Sequence, residues 1–140
     1  MKVLWVEDHP NACKMLAAAG AAATHARLNV DLVIAESLLA AENRLRLERF
    51  DLVVVDLRLP DSVDEDATMT RIATMGDFRV AVVSASERRQ ELVDALVQSG
   101  RNCAKTAVAK EDLRLADFSS DPQSFVDFLK KMLNEESAAA

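Results

Sequence analysis

The chain has 140 residues, half of them apolar, which is enough for one domain with an enclosed core and too apolar for a disordered chain. The formal net charge of −6 and the scattered Lys and Arg residues argue against a nucleic-acid surface, because phosphate backbones are bound through clustered cations. No apolar run is long enough to span a membrane and no signal peptide begins the chain, so we expect a cytoplasmic protein with reduced thiols.

Four short apolar runs are predicted to be strands. They cover residues 3–6, 30–35, 52–55 and 80–83. Runs of this kind, without alternating polar residues, are typical of strands buried on both faces of a parallel sheet. A fifth strand is expected between residues 101 and 120, where the sequence Ala-Val-Ala at 107–109 is the best candidate.

Helical patterns lie between these runs and after the last of them. They cover about residues 11–23, 38–45, 64–75 and 87–99, and a final helix begins at Asp121-Pro122. Ser37 is a predicted N-cap, and Gly100 is a predicted C′ residue after the fourth helix. Strands that alternate with helices predict an α/β three-layer sandwich, in which a parallel sheet is covered on both sides.

Polar residues stand where the predicted strands end. Glu7 and Asp8 follow the first strand, Asp56 follows the third, and Ser84 follows the fourth. The carboxyl ends of parallel strands meet at one edge of the sheet, so these side chains are expected to lie close together. Three crowded carboxylates repel one another unless a cation joins them, and Mg²⁺ prefers carboxylate oxygen. The pattern therefore predicts a magnesium site.

Three segments together resemble the receiver domain of two-component response regulators. VLWVEDHP resembles its first strand, FDLVVVDLRLPD its phosphoacceptor strand and turn, and VAVVSAS its fourth strand with a hydroxyl residue. The resemblance implies a flavodoxin-like sheet of five parallel strands in the order 2-1-3-4-5. It covers residues 1–134 as one receiver domain and leaves residues 135–140 as a disordered or frayed tail.

The resemblance also implies a reaction. Asp56 would take a phosphoryl group from a sensor histidine kinase or a phosphotransfer protein, in a reaction that needs Mg²⁺. The protein would then be a phosphoacceptor for signalling and not an enzyme acting on a separate substrate. No DNA-binding or enzymatic module follows in the sequence, so its output is expected through a downstream protein partner, without contact to nucleic acid or membrane.

Further site residues follow from the same resemblance. Asp8 and Asp56 would bind Mg²⁺ directly, Glu7 would act through a water, and the backbone carbonyl of Arg58 would add a ligand. Ser84 would donate a hydrogen bond to a phosphoryl oxygen. The Arg58 and Ser86 side chains occupy the two positions that, in this family, tune how fast water removes the phosphate.

The chain departs from the family pattern around its fifth strand. A lysine followed by proline is usual there, whereas this chain offers Lys105 and Lys110, and neither precedes a proline. If Lys110 is that lysine, the usual aromatic switch residue would fall at Ala107, and the chain has no tyrosine. We predict that Lys110 contacts the phosphoryl group. This choice requires three extra residues in the loop before the strand, which is an inexpensive insertion, whereas Lys105 leaves only residues 101–104 as a strand.

Two alternatives remain open from the sequence. A Mg²⁺-dependent aspartyl phosphatase also uses an aspartate at a strand end, but it needs a second aspartate two residues later, where this chain has Arg58. A pseudo-receiver would have the fold and bind a partner without being phosphorylated. The unusual fifth strand favours the pseudo-receiver, and the complete set of acidic residues argues against it.

Overall fold

A computed structural model describes the backbone of residues 1–139 and the side chains of residues 1–134, so the tail predicted at 135–140 lies outside the fully described residues. The strands are β1 (Lys2–Val6), β2 (Asp31–Ala35), β3 (Leu52–Val55), β4 (Arg79–Ser84) and β5 (Val108–Ala109). The α-helices are α1 (Pro10–His25), α2 (Leu38–Leu47), α3 (Glu65–Ala73), α4 (Arg89–Gln98) and α5 (Pro122–Ala139).

The five strands form a single parallel sheet in the order β2-β1-β3-β4-β5, as predicted. β1 lies between β2 and β3, and its Val6 is level with Ala35 of β2 and with Val55 of β3. β3 in turn pairs with β4, where Val55 lies level with Val82. This register brings the residues that follow β1 and β3 to the same edge of the sheet.

Side chains alternate between two cores, one on each face of the sheet. Val3 and Trp5 of β1 point to the face that also buries α1 and α5, whereas Leu4 and Val6 point to the face covered by the other helices. Trp5 lies in the core, since only 1% of it is exposed. Because both faces are covered, the strands are apolar at consecutive positions in their interiors, which is what their sequences indicated.

The ends of the helices follow the capping residues. The Ser37 hydroxyl accepts the N–H of Ala40 at 3.0 Å, as expected of an N-cap at the start of α2. Asp64 has the same role for α3, where its carboxylate accepts the N–H of Ala67 at 2.6 Å. Gly100 has a φ of +82°, the left-handed conformation that a C′ residue needs and that glycine adopts without strain.

The fifth strand forms where it was predicted, since β5 covers Val108–Ala109 of the run 107–109, but the chain approaches it in an unexpected way. Cys103 pairs with Val80 of β4, and Val108 then pairs with Val83, so the chain advances five residues where β4 advances three. These two extra residues form a bulge between the bridge at Cys103 and β5, so they lie before the strand, as predicted, although three were predicted there. The dismissal of residues 101–104 as strand was too strict, because Cys103 and Ala104 are buried and Cys103 pairs with Val80 of β4.

A side chain of α4 supports this bulge. The Gln90 amide donates to the carbonyl of Lys105 at 2.8 Å and accepts the N–H of Ala107 at 2.9 Å. One side chain thus replaces two of the backbone partners that the bulge cannot find in the sheet. A local sequence pattern does not reveal this support, because Gln90 is 15 to 17 residues away along the chain.

Two short 3₁₀ helices, Lys110–Asp112 and Leu115–Phe118, occupy the connection between β5 and α5 that the sequence left unassigned. Leu115 and Phe118 are buried, and the Phe118 ring lies 5.0 Å from the ring of Phe125 in α5. The connection is therefore part of the core on the α1 and α5 face. Across the described residues, none of the helices combines the length and the apolar character needed to cross a membrane.

Candidate functional site

The polar residues of interest lie together at the carboxyl edge of the sheet. The hydrogen-bond ladder continues one step beyond the strands, since the Glu7 N–H donates to the Ala35 carbonyl at 2.9 Å and the Asp56 N–H donates to the Val6 carbonyl at 3.0 Å. These two backbone hydrogen bonds fix the positions from which the Glu7 and Asp56 side chains extend. Ser84 ends β4, the neighbour of β3.

Three carboxylates converge at this edge. One oxygen each of Glu7, Asp8 and Asp56 can be chosen so that all three lie within 4.8 Å of one another. Glu7 and Asp56 are buried, with 2% and 3% of their surface exposed, while Asp8 is half-buried. The opening of the cluster toward solvent is therefore on the Asp8 side.

Lys110 is the cation that faces this cluster. Its Nζ lies 2.6 Å from Glu7 Oε1 and 3.1 Å from Asp56 Oδ2, whereas Lys105 is exposed on the bulge of the fifth strand. The structure thus brings Lys110 and not Lys105 to Asp56. The predicted contact with a phosphoryl group itself stays a prediction.

The ion pair affects protonation on both sides. Burial raises the pKa of Glu7 above its ordinary value, although the hydrogen bond from Lys110 opposes this effect. Burial also disfavours the Lys110 ammonium, but the hydrogen bond to Glu7 and the charge of Asp56 outweigh it and hold the pKa of Lys110 above its ordinary value. Lys110 therefore stays charged at neutral pH.

Asp56 accepts two further hydrogen bonds on its other oxygen. The Ser84 hydroxyl and the backbone N–H of Arg58 both donate to Oδ1, each at 3.1 Å. Together with Lys110 on Oδ2, these donors orient the carboxylate and surround it with positive charge. A group that binds to Asp56 would meet a serine hydroxyl, a backbone N–H and an ammonium.

Solved structures of similar shape are numerous. A response regulator receiver domain protein from Methanospirillum hungatei superposes with a TM-score of 0.66, over 99% of this chain and 98% of that one, at 15% identity. The non-phosphorylated HemR receiver domain from Leptospira biflexa gives a TM-score of 0.65, over 94% and 93% of the chains, at 23% identity.

This chain has the receiver-domain fold. The response regulator TrrA from Thermotoga maritima, solved in complex with Mg²⁺ and BeF, is a further match, with a TM-score of 0.60 over 94% of this chain and 97% of that one, at 17% identity. No protein-family model matches the sequence, and no curated protein matches it either. At these identities the comparisons establish the fold of the domain, and its activity has to be argued from the site.

The fold places the other predicted site residues as follows. The Arg58 side chain is exposed, and its backbone N–H already faces Asp56, while the role of its carbonyl as a metal ligand stays a prediction. Ser86 is buried in the loop between β4 and α4. The His9 side chain is exposed at the start of α1, and its backbone N–H donates to Glu7 Oε2 at 3.2 Å.

Asp61 is a structural residue of the site that the sequence analysis missed. Its carboxylate accepts the N–H groups of Leu38 at 2.8 Å and Leu39 at 2.9 Å, and so it caps α2 from the loop after β3. Some burial opposes the charge, but these two backbone hydrogen bonds hold the pKa of Asp61 below its ordinary value. No local pattern could reveal this cap, because donor and acceptor are more than 20 residues apart.

We predict that Asp61→Ala destabilises the protein by about 1 kcal/mol, the usual cost of losing a helix cap. Because the pKa of Asp61 is lower in the folded state than in the unfolded state, the stabilisation is complete above a pH of about 3.8. It is lost as the pH falls through the folded-state pKa. Urea unfolding of both proteins should show a difference at neutral pH that shrinks in acid.

Asp77→Ala is the matched control for this prediction. Asp77 is exposed and forms no hydrogen bond or ion pair among the described side chains. Its replacement therefore changes the net charge as much as Asp61→Ala does, but it removes no helix cap. If Asp77→Ala costs as much stability as Asp61→Ala, the effect comes from net charge and the capping role is wrong.

Proposed function

We propose that this chain is a phosphoacceptor receiver domain, phosphorylated on Asp56 by a sensor histidine kinase or a phosphotransfer protein in a Mg²⁺-dependent reaction. Its output passes through a downstream protein partner, and it catalyses only its own phosphoryl transfer and hydrolysis. This proposal rests on the environment of Asp56. Its carboxylate is buried at a strand end, contacts Lys110 and Ser84, and lies next to Glu7 and Asp8.

The side chains suit phosphoryl transfer. An Asp56 oxygen attacks the phosphorus, a P–O bond forms, and the P–N bond to the donor histidine breaks. Negative charge then spreads over the phosphoryl oxygens, where the Lys110 ammonium and the Ser84 hydroxyl can donate hydrogen bonds. Lys110 has three donors, of which two contact Glu7 and Asp56, so one remains for a phosphoryl oxygen.

The acidic cluster fits a divalent metal ion. Its three carboxylates face one ammonium, which leaves two negative charges uncompensated, and oxygen ligands in this arrangement are those that Mg²⁺ prefers. Asp8 and Asp56 would hold the ion directly, with Glu7 acting through a water. A bound Mg²⁺ would neutralise charge on the incoming phosphoryl group.

We predict that millimolar Mg²⁺ raises the melting temperature of the protein, because an ion that binds only the folded state stabilises it by mass action. A concentration of 100 times Kd corresponds to about 2.7 kcal/mol. Asp8→Asn should weaken this response. The same substitution should leave the metal-free protein as stable as the wild type or more so, since it relieves charge repulsion.

Differential scanning fluorimetry with and without EDTA measures the metal effect. Asp31→Asn, an exposed aspartate at the start of β2, is the control and should respond to Mg²⁺ like the wild type. An unchanged melting temperature over the whole Mg²⁺ titration would show that the cluster is not a magnesium site.

The direct test of the function is incubation with acetyl phosphate and Mg²⁺, followed by intact-mass measurement. One added phosphoryl mass is the expected result. The second candidate is a pseudo-receiver, which is favoured by the bulged fifth strand and by Ala107 at the position of the usual aromatic switch. A folded, Mg²⁺-binding protein that acetyl phosphate and histidine kinases all leave unlabelled would support this candidate.

A further inference from the structure

The acidic run after Pro60, with the sequence DSVDED, is engaged in contacts within the molecule. Asp61 caps α2 and Asp64 caps α3, as described above. The next two acids bind the loop between β4 and α4: the Ser86 hydroxyl donates to Glu65, and the Arg88 guanidinium pairs with Asp66 at 3.1 Å. The acidic run therefore connects several of the elements that surround Asp56.

A continuous chain of hydrogen bonds leads from Glu65 to the phosphoacceptor. Glu65 Oε2 accepts the hydroxyl proton of Ser86, and the Ser86 backbone N–H donates to Ser84 Oγ at 3.1 Å. Ser84 Oγ then donates to Asp56 Oδ1, also at 3.1 Å. Ser84, Ser86 and Asp56 are buried, so solvent is excluded from the bonds among these three residues, whereas Glu65 is half-buried. The first turn of α3 thus contacts the acceptor carboxylate through two serines.

This chain of bonds opposes phosphorylation because a hydroxyl has a single proton. The Ser84 hydroxyl donates its one hydrogen bond to Asp56, and it can donate to a phosphoryl oxygen only when that bond is released. Glu65 fixes Ser86, and Ser86 fixes Ser84 in this orientation. A contact that is stronger in the ground state than in the transition state slows the reaction.

We propose that Glu65 is a positioning residue that restrains Ser84 through Ser86 and thereby lowers the rate at which Asp56 accepts a phosphoryl group. This inference rests on the proposed function, and it gives the protein an internal restraint on the same site. Glu65 does not touch the reacting atoms. Its effect passes through the loop between β4 and α4, a route that involves neither Ala107 nor an aromatic side chain.

The neighbouring ion pair supplies a matched control. Arg88 and Asp66 are well exposed, at 47% and 61% of their side-chain surface, and exposed pairs contribute little. Asp66→Ala removes the same charge from the same helical turn as Glu65→Ala without touching Ser86. Both variants keep Asp64, the N-cap of α3, and are expected to fold, which melting curves check.

The experiment measures the phosphorylation rate by intact mass with saturating acetyl phosphate and Mg²⁺. Glu65→Ala should raise this rate about tenfold, the size expected for one hydrogen bond to a charged group. Glu65→Gln should raise it less, because the amide carbonyl still accepts the Ser86 proton. Asp66→Ala should match the wild type, and Glu65→Ala should add nothing in a Ser86→Ala background.

Three results would overturn the inference: an unchanged or slower Glu65→Ala protein, an equal increase in Asp66→Ala, or a Glu65→Ala effect that persists without the Ser86 hydroxyl. Each of these leaves the proposed function intact, since the wild type is still phosphorylated. A wild type that is never labelled removes the proposed function, and the inference about Glu65 with it.

Discussion

Asp56→Asn is expected to abolish phosphoryl incorporation from acetyl phosphate. The amide oxygen of Asn is a far weaker nucleophile than a carboxylate, and the substitution also removes one of the three acidic groups of the cluster. The shape of the side chain is preserved, so the Ser84 hydroxyl and the Arg58 N–H retain an oxygen to contact. The expected intact-mass spectrum shows no phosphorylated species under conditions that label the wild type.

Asp51→Asn is the control for this substitution. Asp51 precedes the same strand, β3, at the opposite end, where its carboxylate accepts the Lys2 N–H at 2.8 Å. This variant loses an equal charge and should be labelled as fast as the wild type. Full labelling of Asp56→Asn would move the phosphoacceptor to another residue, and peptide mapping after borohydride reduction would locate it.

Lys110→Met is expected to be the most destabilising substitution at the site, by about 3 kcal/mol without metal. It leaves the Glu7 and Asp56 carboxylates buried without their cation, at 2% and 5% side-chain exposure. The Lys110 side chain itself is 25% exposed, so the expected loss of stability lies at the lower end of the range for buried ion pairs. The melting temperature should fall by roughly 10 °C.

The pH dependence of this defect has a definite sign. Loss of the ammonium removes the interaction that lowers the pKa of Glu7, so the folded-state pKa rises further above the unfolded value. The folded state then binds more protons than the unfolded state, and its stability increases as the pH falls. The difference between Lys110→Met and the wild type should therefore be largest at neutral pH and should narrow on acidification.

Lys105→Met is the matched control, because Lys105 is exposed and its contact with Gln90 uses only the backbone carbonyl. It should cost less than about 0.5 kcal/mol. Mg²⁺ binding should survive in Lys110→Met, since the carboxylates remain. Equal stability of the two lysine variants would mean that the Lys110 ion pair contributes nothing to the fold.

The sequence alone predicted the strands, the helices and the meeting of Glu7, Asp8, Asp56 and Ser84 at one edge of the sheet. These features are local: an apolar run of four residues predicts a strand buried on both faces, and the residue that follows it must lie at the strand end. Ser37 and Gly100 were predictable for the same reason, since a cap acts within one turn of its helix.

Only the tertiary structure decided how Lys110 reaches Asp56. The sequence favoured Lys110 on the length of the apolar run and placed three extra residues in the loop before the strand. In the structure two extra residues form a bulge between Cys103 and β5, and the backbone of this bulge is satisfied by Gln90 of α4. Such a bulge is stable only where a distant side chain supplies the missing hydrogen bonds, and no local pattern records that partner.

The acidic run 61–66 is a second case in which the sequence shows the charges but only the tertiary structure decides their partners. In the sequence it is a cluster of like charges after Pro60, with no assigned role. In the structure each of its acids has a separate partner, and for Asp61, Glu65 and Asp66 that partner lies more than 20 residues away. Composition and periodicity identify which residues can be charged or buried. The partners of those charges depend on which elements the fold brings together, and this is decided by packing across the whole chain.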